Sequence, residues 1–283
     1  MGRKWIIGTG AAGACALVLA GAPNASATSD TTAPVLKLSP SAEFVAGTQI
    51  GESTRPFGDH PETDSISQRV SWSAADASGI CGYDVFKVYT GMAPEKVVSM
   101  STETTYSDLT TDYDDQQGGG TFKVLSWKVV AHDCAGNTAS ASSRVLPVVT
   151  QENNTTYGYK GVQITYAGTW KSAICACWSG GRDRSTVEAG AQATITRTWA
   201  AADRVALVME TAPDRGAFEL LVDGVHRADV DTYSATRVHR DVVWAGRLSA
   251  GVHTITLVNA ATAGHPRIDL DAVLSNSKFY CNC

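Results

Sequence analysis

Short segments in which apolar and polar residues alternate, separated by turns rich in Asp, Ser and Gly, recur from Pro34 to the end of the chain. Val70 and Trp72, for example, fall on one face of an alternating segment. No stretch of useful length has the spacing of an amphipathic helix. Alternation with a period of two is typical of strands that bury one face. The pattern therefore predicts an all-β protein.

The length of the chain, 283 residues, suggests two domains rather than one. A polar, turn-rich segment at 148–157 (VVTQENNTTY) separates two groups of strand-like segments. We therefore predict two β-sandwich domains, at 33–150 and 155–283.

The first 27 residues have the features of an export signal. Arg3 and Lys4 precede an apolar or small-residue run from Ile6 to Ala20, and small residues follow at 25–27. This run is shorter than the roughly 20 residues that a membrane span needs, and the small residues suit signal peptidase. We predict a signal peptide at 1–27 and a secreted, extracellular chain with no membrane attachment after cleavage. An uncleaved anchor is the alternative.

Export changes the interpretation of the cysteines, because an even number in an oxidising compartment predicts disulfides. A zinc site would need C-x-x-C or His-containing spacing, whereas the close pairs here are C-x-C without a neighbouring His. Six cysteines follow the predicted signal: Cys81, Cys134, Cys175, Cys177, Cys281 and Cys283.

Composition excludes two classes of protein. The formal net charge is −5 and no Lys/Arg cluster occurs, which argues against nucleic acid as a partner. Hydrophobic residues make up 43% of the chain, enough to build cores rather than a disordered chain. We expect a monomer.

The first half carries three motifs of a known kind of sandwich. They are VSWSAAD at 70–76, SGI at 78–80 followed by Tyr83, and WKVVAHDCAGNT at 127–138. With them, residues 33–150 resemble a bacterial Ig-like or fibronectin-type-III-like module. In such a module the third and sixth strands are antiparallel neighbours. The resemblance thus implies that Cys81 and Cys134 lie at one end of the sandwich, close enough to form a disulfide.

The second half carries an ordered set of short motifs and resembles a galactose-binding-like jelly roll, a carbohydrate-binding accessory module of secreted actinobacterial proteins. The motifs are GTW at 168–170, WSGG at 178–181, AGA at 189–191, DRG at 214–216, LVDGV at 221–225, LSAGVHTI at 248–255 and RIDLDA at 267–272.

This resemblance has consequences for the pairing of the last two cysteines and for metal binding. The termini of such jelly rolls lie close together, which implies Cys175–Cys283 and Cys177–Cys281 bonds, with crossed pairing as the rival. Some relatives hold a structural calcium between acids of the first and last strands. The last strand here has Asp269 and Asp271, but the first has no acid and only Glu152 lies upstream. We therefore expect no cofactor, with calcium as the unsupported alternative.

A sugar site needs aromatic faces for the ring and planar polar groups for the hydroxyls. The loop at 178–184 offers that mixture, although a surface loop with a packing tryptophan is the plainer interpretation. Arg267 would either contact the ligand or form a structural ion pair with Asp269 or Asp271. The candidate ligand-binding residues are Trp178, Arg182, Arg184, Tyr233, Trp244 and Arg267.

The motifs of common hydrolases and nucleotide-binding enzymes are missing from the sequence: no G-x-S-x-G, no H-E-x-x-H and no phosphate loop. A pair of carboxylates for glycoside hydrolysis stays open, because such a pair need not be adjacent in sequence. We predict a noncatalytic protein that binds an extracellular or cell-wall carbohydrate through the second domain, the first serving as a spacer or protein contact. The alternatives are a structural or adhesion protein that contacts proteins, and a small secreted hydrolase.

Overall fold

The computed structural model describes residues 30–51, 65–89, 91–111, 124–145, 147–152, 162–199 and 203–276. The predicted signal peptide, Cys281 and Cys283 lie outside these ranges. The described residues form strands, turns and one 3-10 turn at Ser179–Gly181, which confirms the predicted all-β class. Within these ranges, no helix has the length and apolar character needed to cross a membrane.

The first half folds into what we call the N-terminal sandwich, two antiparallel sheets packed face to face. In one sheet β3 pairs with β1, β2 and β6, and the other has the order β5-β4-β7-β8. The strands are β1 (Val35–Leu38), β2 (Glu43–Phe44), β3 (Ser65–Ala75), β4 (Ile80–Tyr89), β5 (Glu95–Ser101), β6 (Thr105–Thr111), β7 (Val124–Asp133) and β8 (Thr138–Arg144).

Alternation within these strands builds the core of the N-terminal sandwich. Along β3, every second residue from Ile66 to Trp72 is buried, as a half-buried strand requires. The rings of Trp72 and Tyr83 meet edge to face at 5.6 Å, which joins the two sheets. The buried set includes Val70, Trp72, Tyr83, Val85, Trp127 and Val129.

The Cys81–Cys134 disulfide is confirmed. β4 and β7 are antiparallel neighbours, with Ile80 opposite Asp133. The two cysteines therefore lie at the same end of the sheet, with their Cα atoms 4.9 Å apart.

The second half folds into a jelly roll of two facing antiparallel layers. One layer has the order β10-β13-β18-β15-β16, and the other combines β17-β14-β20-β9 with β11-β12-β19. The strands are β9 (Pro147–Gln151), β10 (Val162–Ala167), β11 (Lys171–Ile174), β12 (Arg182–Thr186), β13 (Gln192–Trp199), β14 (Asp203–Thr211), β15 (Ala217–Val222), β16 (Val225–Asp231), β17 (Val238–Leu248), β18 (Gly251–Asn259), β19 (Ile268–Leu270) and β20 (Ala272–Asn276).

A tight hairpin joins β15 to β16 at Asp223 and Gly224. Both residues have positive φ, 54° and 75°, as a type I′ turn demands. Asp-Gly is a strong sequence signal for a turn of this kind.

The two halves share an apolar core, and the boundary strand β9 belongs to the sheet of the jelly roll. The predicted domain bounds assign β9 to the first domain, whereas in the structure β9 pairs with β20, Val149 lying opposite Leu274. A separate apolar cluster draws on both halves: Phe44, Ile50 and Ile66 on one side, with Ala206, Val208, Val242, Ala272 and Leu274 on the other. The N-terminal sandwich is therefore packed directly against the jelly roll.

The second predicted pair of disulfides is wrong in its pairing at Cys175 and Cys177. These two cysteines are bonded to each other, with Cα atoms 5.0 Å apart. The prediction placed them on an extended strand whose side chains would both face the C-terminal tail. The structure instead ends β11 at Ile174 and turns the chain at 176–177, so the two sulfurs face one another.

Candidate functional site

Three of the predicted ligand residues converge at one end of the jelly roll. Trp178 follows the disulfide turn, Tyr233 follows β16 and Arg267 precedes β19. The loop after β14 passes between them, because Ala212 bridges to Tyr233 and Arg215 bridges to Arg267.

The centre of this region is the carboxylate of Glu210, which is fully buried at the end of β14. Its Oε1 accepts hydrogen bonds from Arg215 Nη2 at 2.6 Å and from Arg237 Nη1. Its Oε2 accepts from Trp178 Nε1 at 3.3 Å and lies 2.5 Å from His239 Nδ1. We call these five residues the Glu210 cluster. A buried carboxylate is stable only with such partners, so Glu210 fixes three loop side chains and the side chain of His239 on β17.

Two more carboxylates lie beneath the Glu210 cluster. Asp269 Oδ1 accepts from Arg215 Nε at 3.2 Å, and Asp269 Oδ2 accepts from the backbone N–H of Glu210 at 3.0 Å. Burial nevertheless raises the pKa of Asp269 to about 6. Burial and the nearby charge of Asp269 raise the pKa of Asp183 to about 7, and neither Asp183 oxygen accepts a hydrogen bond from the residues that the structure describes. The buried carboxylates of Asp269 and Asp183 are therefore harder to ionise than an exposed aspartate, in spite of the nearby arginines.

The outer edge of the site, which we call the rim, is exposed and mixes aromatic with charged groups. Tyr233 is 50% exposed, and its ring centroid lies 5.0 Å from that of His265. Asp214 lies 3.3 Å from Arg237 Nη2 and 3.5 Å from Arg267 Nη1. These five residues present one aromatic face and three hydrogen-bonding groups to solvent.

Arg267 does not pair with either acid that the sequence offered it. Its guanidinium contacts Asp214 and donates to Ser185 Oγ at 3.0 Å, on the side of the site that faces solvent. Asp269 is occupied by Arg215 instead.

The other three predicted ligand residues lie elsewhere. Arg184 forms an ion pair with Glu152 at 3.3 Å and stacks over the Tyr166 ring at 4.7 Å. Arg182 is exposed, two residues before Arg184 on β12. Trp244 is half-buried against the jelly-roll core. Trp178 itself is only 8% exposed, so its indole supports the site from within and does not present a face to solvent.

Sequence reasoning missed Glu210, Arg237, His239, Asp214 and His265. One signal was available: Glu210 directly follows the continuous apolar run at 205–209, where a charge marks the end of a core strand. The rest come from the loop after β14, the start of β17 and the loop before β19, whose approach no local pattern predicts.

The acids that a structural calcium would use already contact other groups of the protein. Asp269 holds Arg215 and a backbone N–H, and Asp271 Oδ1 accepts from the N–H of Ser179 at 2.8 Å. Glu152 is paired with Arg184. A cation bound between these acids would compete with the guanidinium groups of Arg215 and Arg184.

A different group of carboxylates lies at the disulfide end of the N-terminal sandwich. Oxygens of Asp30, Asp76 and Asp133 come within 4.8 Å of one another. Asp133 accepts from the N–H of Asn137 at 2.7 Å, and Asp76 accepts from Ser78 Oγ at 2.8 Å. These carboxylates could share a cation, and their hydrogen bonds also account for the shape of both loops.

A cavity of about 320 Å³ opens at the junction of the two halves. Glu43 on its wall is paired with Arg204 at 2.7 Å and with Arg69 at 3.5 Å. The one carboxylate that lines this cavity is thus already paired with both of the arginines that line it.

Two hairpin turns of the jelly roll bring together a serine, a histidine and an aspartate. Ser249 Oγ lies 3.0 Å from His253 Nε2, and His253 Nδ1 lies 2.7 Å from Asp223 Oδ2. The N–H of Thr254 donates to Asp223 Oδ1 at 2.8 Å and holds that carboxylate in place. The order of contacts is that of a serine hydrolase, on an exposed surface.

No protein-family model matches the chain, and no curated protein matches it. The solved structures described next are similar to this chain at 15% identity or less. A family 35 carbohydrate-binding module from Clostridium thermocellum is 15% identical, with 47% of this chain and 100% of that chain covered and a TM-score of 0.34. The module CBM35 from Cellvibrio japonicus Abf62 is 15% identical, with 47% and 95% covered and a TM-score of 0.35.

A longer match is the exo-beta-1,3-galactanase from Phanerochaete chrysosporium, with beta-1,3-galactotriose in that structure. It is 11% identical, with 83% of this chain and 69% of that chain covered and a TM-score of 0.35. At these identities and TM-scores the similarities do not identify a function for this chain, and its function has to be inferred from the residues of the site.

Proposed function

We propose that this is a secreted, noncatalytic protein that binds an extracellular or cell-wall carbohydrate at the rim. The observation that carries the proposal is the exposed Tyr233 ring beside His265, next to the paired groups Arg237, Asp214 and Arg267. A sugar presents an apolar C–H face and a ring of hydroxyls, so an aromatic platform flanked by planar polar groups is complementary to it.

The rigidity of the rim supports the same proposal. Arg237 is anchored to the fully buried Glu210, which is also held by Arg215 from below. Side chains that are fixed before the ligand arrives lose less conformational entropy on binding. The rim is thus preorganised, although its tips are exposed.

For the N-terminal sandwich we propose an Ig-like or fibronectin-type-III-like module. The antiparallel pairing of β4 with β7 and the Cys81–Cys134 bond at one end are what this resemblance implies. The disulfides also support the proposed secretion, since such bonds persist in oxidising compartments.

The test is a glycan array probed with the chain lacking residues 1–27. The array should include xylan, β-1,4-mannan and β-1,3-galactan, and a hit is then titrated with variants. We expect Tyr233→Ala to weaken binding about tenfold, an aromatic contact of about 1.4 kcal/mol, while Tyr233→Phe keeps most of the affinity. Tyr89→Ala, in the N-terminal sandwich, is the matched control. No hit above background, or equal binding by Tyr233→Ala and the wild type, would refute the proposal and favour a protein partner.

Ester hydrolysis at Ser249 is the second candidate function, supported by its contact with His253 and the contact of His253 with Asp223. It ranks second because Ser249 lies on an exposed turn, where water competes for every hydrogen bond. Turnover of p-nitrophenyl acetate that Ser249→Ala abolishes would establish it; equal turnover by both proteins would exclude it.

A further inference from the structure

The segment 47–51 of the N-terminal sandwich pairs through backbone hydrogen bonds with the edge of β17 in the jelly roll. The N–H of Gly47 donates to Val242 O at 2.8 Å, Val242 donates to Thr48 O at 3.0 Å, and Ile50 donates to Arg240 O at 2.9 Å. Because β14 pairs with the other edge of β17, the start of β17 is held on both sides.

Arg240, at the start of β17, connects this added strand to the disulfide turn. Its buried guanidinium donates to Gly51 O at 3.1 Å in the N-terminal sandwich. It also donates to Cys177 O at 3.0 Å, to Ala176 O at 2.8 Å and to Trp178 O at 3.0 Å. One side chain therefore fixes four carbonyls of two distant segments.

Arg240 and Gln49 are each connected to the carboxylate of Glu210 through one intervening residue. On one side Trp178, whose carbonyl Arg240 holds, donates its indole N–H to Glu210. On the other side Gln49 Nε2 donates to His239 O at 2.9 Å, and the His239 ring lies against the same carboxylate. Glu210 in turn holds Arg237 of the rim.

We propose that the N-terminal sandwich is a positioning part of the carbohydrate site and that the site is complete only when both halves are present. The segment 47–51 holds the start of β17, and Arg240 and His239 transmit that constraint to Trp178, Glu210 and Arg237. Gln49 and Arg240 act as positioning residues: they do not touch the rim and act through others. The inference rests on the proposed function for its ligand and on the contacts above for its geometry.

The experiment compares Gln49→Ala and Arg240→Lys with Lys96→Ala in the chain lacking residues 1–27. Lys96 pairs with Asp84 on the far sheet of the N-terminal sandwich and serves as the matched control. The first readout needs no ligand: hydrogen exchange of the Trp178 indole N–H, measured by NMR. We expect exchange to accelerate about threefold in Gln49→Ala and about tenfold in Arg240→Lys, with no change in Lys96→Ala.

The second readout is affinity for the array hit, which should fall in the same order. Gln49 is exposed, so its variant tests the inference even if Arg240→Lys fails to fold. Unchanged indole exchange in Gln49→Ala overturns the inference, whatever the array shows. Faster exchange together with an array that yields no hit supports the positioning and refutes only the carbohydrate function.

Discussion

The side-chain amides of Gln68 and Asn276 form a hydrogen bond of 2.9 Å, Nε2 to Oδ1, in the buried junction between the two halves of the molecule. Asn276 also donates from Nδ2 to Ala42 O at 2.8 Å. One amide of the last strand thus contacts two segments of the N-terminal sandwich.

We expect Asn276→Ala to lower the free energy of unfolding by about 1–3 kcal/mol, because it leaves buried polar partners without a bond. Urea unfolding measures this loss. The double variant with Gln68→Ala should cost less than the sum of the two single variants, since each removes the same contact. Strict additivity would show that the amide bond contributes nothing.

Gly216→Ala should disturb the rim through its backbone. A Cβ at this position would lie 2.1 Å from His265 O and 2.9 Å from Thr262 Oγ1. The loop that carries His265 must therefore move away, at a cost of about 1–3 kcal/mol for overpacking. We expect a lower melting temperature and weaker binding to the array hit. Ala263→Ser, in the same loop, is the control, and equal behaviour of the two variants would contradict the prediction.

Stability should fall as the pH rises from about 4 to about 7. The pKa of Asp183 in the folded protein is raised to about 7, whereas an unfolded Asp titrates near 3.9. Between these values the folded state binds the proton that the unfolded state has released, so the free energy of unfolding decreases with pH. Asp269, with its pKa raised to about 6, acts in the same direction.

Melting temperatures at pH 5 and pH 8 check this prediction. Asp183→Asn should make the melting temperature at pH 5 and that at pH 8 more alike, because the amide does not titrate. Glu103→Gln, at an exposed position of the N-terminal sandwich, is the control and should leave the difference as in the wild type. If Asp183→Asn also leaves it unchanged, Asp183 does not titrate as described.

The two disulfides should contribute unequally. Cys81 and Cys134 are 53 residues apart, and Cys175 and Cys177 only 2. In the chain-entropy model, replacing the first pair by serine costs about 4 kcal/mol and replacing the second about 1 kcal/mol. Chemical unfolding of the two double-serine variants compares them; equal losses would show that the short bridge acts through native contacts, such as those of Arg240.

What the sequence could predict was local. Alternation predicted the strand β3, because this signal lies within the element that it specifies, and Asp223-Gly224 is a signal of the same local kind for its hairpin. The Cys81–Cys134 bond followed from a resemblance that places two strands side by side. The ring between Cys175 and Cys177 was missed because a turn replaces the strand assumed there.

The site was predictable only in part. Tyr233 and Arg267 do lie together, but the carboxylate that organises their surroundings, Glu210, gathers partners from loops far apart in the chain. Such long-range contacts are set by the packing of the two layers. No spacing along the sequence encodes them.

The pairing of β9 with β20 also constrains how the chain can fold as it is made. β9 ends at Gln151 but finds its partner only when Asn276 has left the ribosome. At about 5–20 residues per second, the delay is on the order of ten seconds. During that interval the N-terminal sandwich can form, yet β9 and the apolar surface around Ile50 and Ile66 stay uncovered. Export before folding, or a chaperone that covers the unpaired edge of β9, would keep one nascent chain from pairing with another.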